Sequence, residues 1–142
     1  MTLRTLIFIA ASALSINACA QFDAKPASTC AQDWQMSDKQ LQGVWTGSVA
    51  GSEETARMVL GPHPEWAGNV KGSVSRPGGS HPMVGDVNEG TVTLEESADG
   101  SRITSTWLGE VVEGSCGTEI HGSYQEGENV PPRAFIMRKA QP

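Results

Sequence analysis

Three histidines are the side chains of this sequence best suited to metal binding or to general acid–base chemistry. His63 and His81 each precede a proline, which biases their backbone towards extended or loop conformations. His63 and Glu65 could both ligate a metal, but their spacing matches no zinc motif. His121 alternates with the inward positions of a predicted strand, so we expect it on the outside. We interpret all three as solvated histidines and predict no metal site.

Two short segments contain part of a calcium-binding or catalytic motif. Residues 86–90 read DVNEG, which places oxygen-bearing side chains as in half of a calcium loop, but the later bidentate glutamate is missing. Residues 114–117 read GSCG, which is only superficially like the Gly-x-Ser-x-Gly elbow of hydrolases. A Ser-His-Asp triad can be assembled from distant residues, but nothing points to one here. We predict a hairpin turn at 86–90, a non-enzymatic protein without catalytic residues, and no cofactor.

Aromatic side chains are the candidate ligand contacts. Trp45 and Trp107 lie in strand-like runs and are expected in the core, whereas Trp66 lies in a loop. An exposed indole at the junction of a loop and a strand can anchor a ligand. Packing in the core or at the rim is the alternative for Trp66. We predict that Trp66, Trp107 and Tyr124 contact a bound molecule.

Carboxylates form several clusters in a chain whose formal net charge is -6. Such a balance argues against nucleic-acid binding, which normally shows a basic surface. A dispersed acidic surface keeps a protein soluble. It can also form an electronegative rim that recruits a basic partner. Both interpretations apply to the glutamates and aspartates near 53–54, 95–99, 110–119 and 126–128.

The N-terminus has the pattern of an export signal. Arg4 supplies a positive charge, and eleven mostly apolar residues follow from Leu6 to Ile16. This stretch is too short to cross a bilayer, which takes about 20 residues. We predict a cleaved signal peptide over 1–18, a tether of small and polar residues over 19–29, and one folded domain over 30–142. A single domain fits the length of 142 residues.

Residues 16–19 read INAC and resemble the lipobox of bacterial lipoproteins, in which an apolar residue and two small ones precede a lipidated cysteine. Asn17 departs from that pattern, where Ala or Ser is usual. The resemblance implies a lipid on Cys19, and Ala20 and Gln21 after it imply sorting to the outer membrane, facing the periplasm. Cleavage after Ala20 by the ordinary signal peptidase is the alternative, and it implies a soluble periplasmic or secreted protein.

The three cysteines leave one pair in either case. Lipidation uses Cys19 and the alternative cleavage discards it, so Cys30 and Cys116 remain together in an oxidising compartment. We predict that they form a disulfide. It would close a loop of more than eighty residues, for which the chain-entropy estimate is roughly 4–5 kcal/mol.

From Gln42 onward, short β-type runs alternate with turn signals. The runs carry Val, Ile, Thr and Trp and are bounded by Gly, Pro, Asp and Asn, including the hairpin signal Asp-Gly at 99–100. Before them, Ser37 can cap a helical turn over 38–41. The predicted class is all-β, a small, mostly antiparallel eight-stranded meander barrel, with a β-sandwich as the alternative. We expect strands over 44–50, 56–60, 67–75, 83–87, 91–96, 102–110, 118–125 and 133–139.

The first strand resembles the first strand of calycin barrels, the group of lipocalins and avidins. Residues 41–45 read LQGVW, and residues 104–109 read TSTWLG, which is similar to an avidin strand. The resemblance implies that Trp45 plugs the closed end of the barrel with a basic residue packed over it, for which Arg138 is the candidate. Residues 45–47 lack the asparagine with which avidins hold their ligand, so biotin is not the expected ligand.

These features predict an envelope-anchored lipoprotein that binds a small apolar or amphipathic molecule. The alternative is a protein–protein role, as an inhibitor of a basic enzyme such as lysozyme or as an accessory subunit of an envelope complex. Residues 122–124 read GSY and resemble the short Ser, Gly and Tyr motifs of lipoprotein barrels that inhibit lysozyme.

Overall fold

A computed structural model describes residues 30–141 of the chain. The predicted signal peptide (1–18), the tether (19–29) and Cys19 lie outside the described residues. Within residues 30–141, no helix has the length and apolar character needed to cross a membrane.

The described chain is a closed, antiparallel eight-stranded meander barrel, as predicted. Each strand pairs with the next along the chain, and the first strand closes the barrel by pairing with the last. A 3₁₀ turn, Asp33–Gln35, and one short helix, α1 (Asp38–Leu41), precede the sheet. The strands are β1 (Gly43–Val49), β2 (Thr55–Pro62), β3 (Asn69–Arg76), β4 (Gly79–Asn88), β5 (Thr91–Glu96), β6 (Ser105–Val111), β7 (Glu119–Glu126) and β8 (Arg133–Lys139).

Alternating burial along the strands builds one continuous core inside the barrel. On β6 the buried, inward-facing positions include Ser105, Trp107 and Gly109. Gly47 on β1 also faces inward, and a Cβ there would lie 3.1 Å from both Trp107 and Met58. The missing side chain at this position makes room for the Trp107 ring.

Two strand starts differ from the prediction for identifiable reasons. β4 begins at Gly79 rather than at 83, because the turn after β3 contains only residues 77–78. β6 begins at Ser105 rather than at 102. The Asp99 carboxylate accepts the backbone N–H groups of Ser101 and Arg102, both at 2.9 Å, and holds those residues in a turn. Ile103, which lies within the predicted strand 102–110, is consequently outside β6 and exposed.

Trp45, near the start of β1, plugs the end of the barrel that α1 precedes, which we call the closed end. The indole is fully buried and donates its Nε1–H to the carbonyl of Leu41, at 2.8 Å. The basic residue over it is Lys139, whose Nζ lies 5.5 Å from the ring centroid and also donates to the Gln40 carbonyl. The prediction of Arg138 was wrong by one residue. Strand alternation turns Arg138 outward, where it pairs with Glu119.

The predicted disulfide between Cys30 and Cys116 is present. It joins the start of the described chain to the loop between β6 and β7, at the end of the barrel that Trp45 plugs. Burial of the Lys139 ammonium at this end lowers its pKa below the ordinary value.

Candidate functional site

The open end of the barrel contains a cavity of about 310 Å³, which we call the mouth. It lies among the residues where β3, β5 and β7 end and β4, β6 and β8 begin. Its charged and hydrogen-bonding lining includes Arg76, His81, Glu96, Ser105, Tyr124 and Arg133. Val49 and Ala56 line it as well, so the mouth combines polar and apolar groups.

Large side chains fill the barrel below the mouth. Trp45, Trp107, Met58, Met83 and Met137 are all fully or almost fully buried. A ligand inside the barrel is therefore restricted to the mouth and cannot reach the closed end without displacing this core.

Glu96 forms the charged base of the mouth and is only 1% exposed. Its carboxylate accepts hydrogen bonds from both terminal nitrogens of Arg76, at 2.5 and 3.0 Å, in a bidentate arrangement. It also accepts the indole N–H of Trp107 at 2.6 Å. These contacts satisfy a carboxylate that would otherwise be costly to bury. The hydrogen bonds to Glu96 raise the pKa of Arg76, against the opposing effect of burial.

An aromatic cluster lies beside this ion pair. The ring centroids of Trp107 and Tyr124 are 4.6 Å apart, and Phe135 meets Trp107 edge-on at 5.0 Å. The Tyr124 hydroxyl donates to Ser105 at 3.2 Å, and burial raises the pKa of this phenol. Arg76 and Arg133 both approach the Tyr124 ring, with Cζ to centroid distances of 5.8 and 5.6 Å. Tyr124 thus has two guanidinium groups within cation–π distance.

Arg133 and His81 are the cationic or donor groups of the mouth that remain least committed. The Arg133 side chain is 38% exposed, and its ion pair among the described residues is a 3.8 Å contact with the exposed Glu126. His81 is equally exposed, and its Nδ1 lies 3.6 Å from Glu96, beyond hydrogen-bond distance. Both side chains can therefore form hydrogen bonds to a ligand in the mouth.

The three predicted ligand contacts do not form one site. Trp107 and Tyr124 lie together at the base of the mouth, although Trp107 is fully buried. Trp66 lies in the loop between β2 and β3, is 59% exposed, and does not line the mouth. The cavity on which Trp66 does lie is a separate one on the outer surface.

Sequence reasoning missed the charged groups of the mouth. The predicted third strand, 67–75, ends one residue before Arg76. The prediction of a solvated acidic surface at 95–99 is wrong for Glu96, which is buried. The period-two pattern of β5 contained the signal, because Val92, Leu94 and Glu96 occupy the same face and all are buried. His81 belongs to β4 and lines the mouth.

The acidic clusters are divided between the two ends of the barrel. Glu110 and Glu119 lie on β6 and β7 near the closed end, where Glu110 accepts a hydrogen bond from Thr91. Glu119 contacts His121 at 2.5 Å and Arg138 at 3.2 Å, and the hydrogen bond from His121 is the main cause of its lowered pKa. Glu54 and Glu126, by contrast, line the mouth.

The segment that resembles half a calcium loop, 86–90, comprises the last residues of β4 and the two-residue turn to β5. Glu89 and Gly90 both have positive φ, 48° and 87°, which fits the predicted hairpin. Within residues 30–141, no three His, Cys, Asp or Glu side chains come together as a metal-binding group.

Comparison with known proteins adds no relative. No protein-family model matches the chain, and no curated protein matches it in sequence.

Proposed function

We propose that the chain is an exported lipoprotein of the bacterial envelope, anchored through Cys19, whose barrel is a non-enzymatic binding module. Its ligand is a small amphipathic molecule with an anionic group, held in the mouth. The disulfide supports the export part of this proposal, because such bonds persist in oxidising compartments.

The observation that carries the ligand proposal is the position of Arg133. Its guanidinium lies over the Tyr124 ring, at the opening, with a single long ion pair among residues 30–141. A carboxylate or phosphate on the ligand gains a bidentate partner there. His81 offers a second donor across the same cavity.

Arg76 does not compete with Arg133 for the anionic group of the ligand. Glu96 neutralises it through two hydrogen bonds, so the base of the mouth carries a satisfied ion pair. A ligand anion is therefore attracted to Arg133, and the apolar part of the ligand can cover the exposed portion of Tyr124. The cavity of about 310 Å³ limits that apolar part to roughly one or two rings.

A matched pair of probes tests the charge preference. Indole-3-acetate and indole-3-acetamide have nearly the same shape and differ in charge. NMR titration of the mature protein should show the acid binding at least about tenfold more tightly, the value of one charge-assisted hydrogen bond. Arg133→Gln should abolish the preference. Arg57→Gln is the control, since it makes the same charge change at an exposed residue of β2.

Equal affinity for the two probes, or a preference that survives Arg133→Gln, contradicts an anion site at Arg133. Native mass spectrometry of protein extracted from its own membranes then tests for a natural ligand. A discrete non-covalent mass supports the binding module, and a bare barrel opposes it.

The lipid anchor has a separate test. Cys19→Ser should move the protein from the membrane fraction to the soluble fraction and remove a covalent lipid mass. A wild-type chain that is already soluble and starts at Gln21 would overturn this part of the proposal.

A further inference from the structure

A second concave surface lies on the outside of the barrel, and we call it the groove. Its volume is about 590 Å³, and its lining shares only Glu96 with the mouth. The floor is a row of cross-strand neighbours, in which Lys71 on β3 pairs with Val84 on β4, and Val84 pairs with Glu95 on β5. Trp66 and Ile103 line it from the β2–β3 and β5–β6 loops.

The Trp66 indole is held rigidly although it is exposed. The His63 ring stacks on it with a centroid distance of 4.5 Å and an interplanar angle of 8°. His63 is itself fixed, because its Nδ1 accepts the backbone N–H groups of Glu65 and Trp66, at 3.2 and 3.1 Å. The loop thus presents a flat aromatic surface before any ligand arrives, which lowers the entropic cost of binding.

The polar groups of the floor are of opposite charge and remain available. Within residues 30–141, neither Lys71 nor Glu95 makes a salt bridge. They are separated by two strand spacings, or roughly 10 Å. The remaining cation, Arg102, is bound to Asp99 at 3.0 Å. Glu65 also lines the groove. The groove therefore offers one ammonium that is unpaired within the described residues and more than one carboxylate acceptor, without a field of a single sign.

These properties match a carbohydrate better than a protein. A sugar hydroxyl both donates and accepts, so it can use an ammonium and a carboxylate in the same groove. The C–H face of a pyranose ring is complementary to the negative face of an indole. A stable protein partner covers about 800 Å² on each side around a cluster of anchors, whereas Trp66 and Ile103 are the exposed large hydrophobic residues that line this groove.

We propose that the groove is a carbohydrate-binding site. A pyranose ring stacks on Trp66, and its hydroxyls hydrogen-bond to Lys71 and Glu95. This site is separate from the mouth, because Trp66, Lys71 and Glu95 line the groove and do not line the mouth.

Titration with soluble oligosaccharides tests the proposal. Chitotetraose, cellotetraose and maltotetraose are added to ¹⁵N-labelled mature protein, and the indole N–H signals are followed by NMR. At least one sugar should shift the Trp66 signal saturably at millimolar concentrations. Trp66→Ala should weaken that binding at least about tenfold, as expected for a truncated aromatic anchor, and Trp66→Phe should retain part of it.

Trp34 supplies the matched control. It is as exposed as Trp66, at 60%, but lies on the 3₁₀ turn outside the groove. Trp34→Ala should leave the sugar affinity unchanged. Three outcomes overturn the proposal: no sugar shifts Trp66, Trp66→Ala binds as well as wild type, or the shifts map to the mouth instead. The amide spectrum of each variant verifies that it is folded.

Discussion

The indole N–H of Trp107 and the carboxylate of Glu96 meet at 2.6 Å inside the barrel, where both side chains are almost completely buried. Glu96 thereby links the hydrophobic core to the charged mouth, because it also holds Arg76. A single carboxylate keeps one tryptophan and one arginine in place.

Removing that carboxylate should destabilise the barrel. Glu96→Ala leaves a partly buried guanidinium and a buried indole N–H without their acceptor, so we expect a loss of about 2–4 kcal/mol in the free energy of unfolding. Urea denaturation measures it. Glu95→Ala on the outer face of β5 is the control, with a change within about 0.5 kcal/mol.

The pair Arg76→Met with Glu96→Leu provides a sharper comparison. Replacing both partners by apolar side chains removes the unpaired charge, so the double variant should recover much of the stability lost in Glu96→Ala. A double variant as unstable as Glu96→Ala would show that the lost acceptor of the Trp107 indole or the lost ion pair, and not the orphaned charge of Arg76, determines the cost.

Tyr124 should ionise above the ordinary tyrosine pKa of about 10, because burial disfavours the phenolate. The chain has one tyrosine, so absorbance at 295 nm reports this group alone. The folded state binds the proton more tightly than the unfolded state does. This contribution to stability is therefore present below about pH 10 and is lost as pH rises through the folded-state pKa.

The unfolded protein in urea is the reference for that titration and should titrate near pH 10. Tyr124→Phe should remove this part of the alkaline loss of stability. A folded-state midpoint at or below that of the unfolded chain would contradict the burial of the hydroxyl beside Ser105.

Truncation of Lys139 should destabilise the protein more than truncation of its neighbour Arg138 on β8. Lys139→Ala removes the contact over Trp45 and the hydrogen bond to Gln40, and should cost about 1–2 kcal/mol. Arg138→Ala breaks an exposed pair with Glu119 and should cost less than about 1 kcal/mol. Thermal unfolding distinguishes them, and a larger loss at Arg138 would argue against Lys139 as the residue that seals the closed end.

Local patterns predicted the barrel well because they determine which side chains face inward. Two of the residues named from the sequence as ligand contacts, Trp107 and Tyr124, are directly paired on β6 and β7. The pairing of Cys30 with Cys116 followed from counting cysteines.

The mouth could not be predicted in the same way, because closure of the sheet creates it. Arg76 and Glu96 are 20 residues apart, on β3 and β5, and no local rule places one guanidinium against one carboxylate across β4. The error at Arg138 was smaller. Arg138 was chosen as a basic residue of the last strand without applying the alternation of β8, which places Lys139 on the same face as Phe135 and Met137.

The disulfide also gives the barrel an orientation. Cys30 is bonded to the closed end, so the chain leaves the barrel at the end opposite the mouth. A lipid on Cys19 would therefore attach the protein to the membrane at its closed end. The tether of eleven residues extends to at most about 40 Å. The mouth would face away from the bilayer, open to molecules that diffuse past it. Force on this tether would enter the folded part of the chain at Cys30 and divide between the disulfide, which leads to the β6–β7 loop, and the backbone, which leads to α1 and β1.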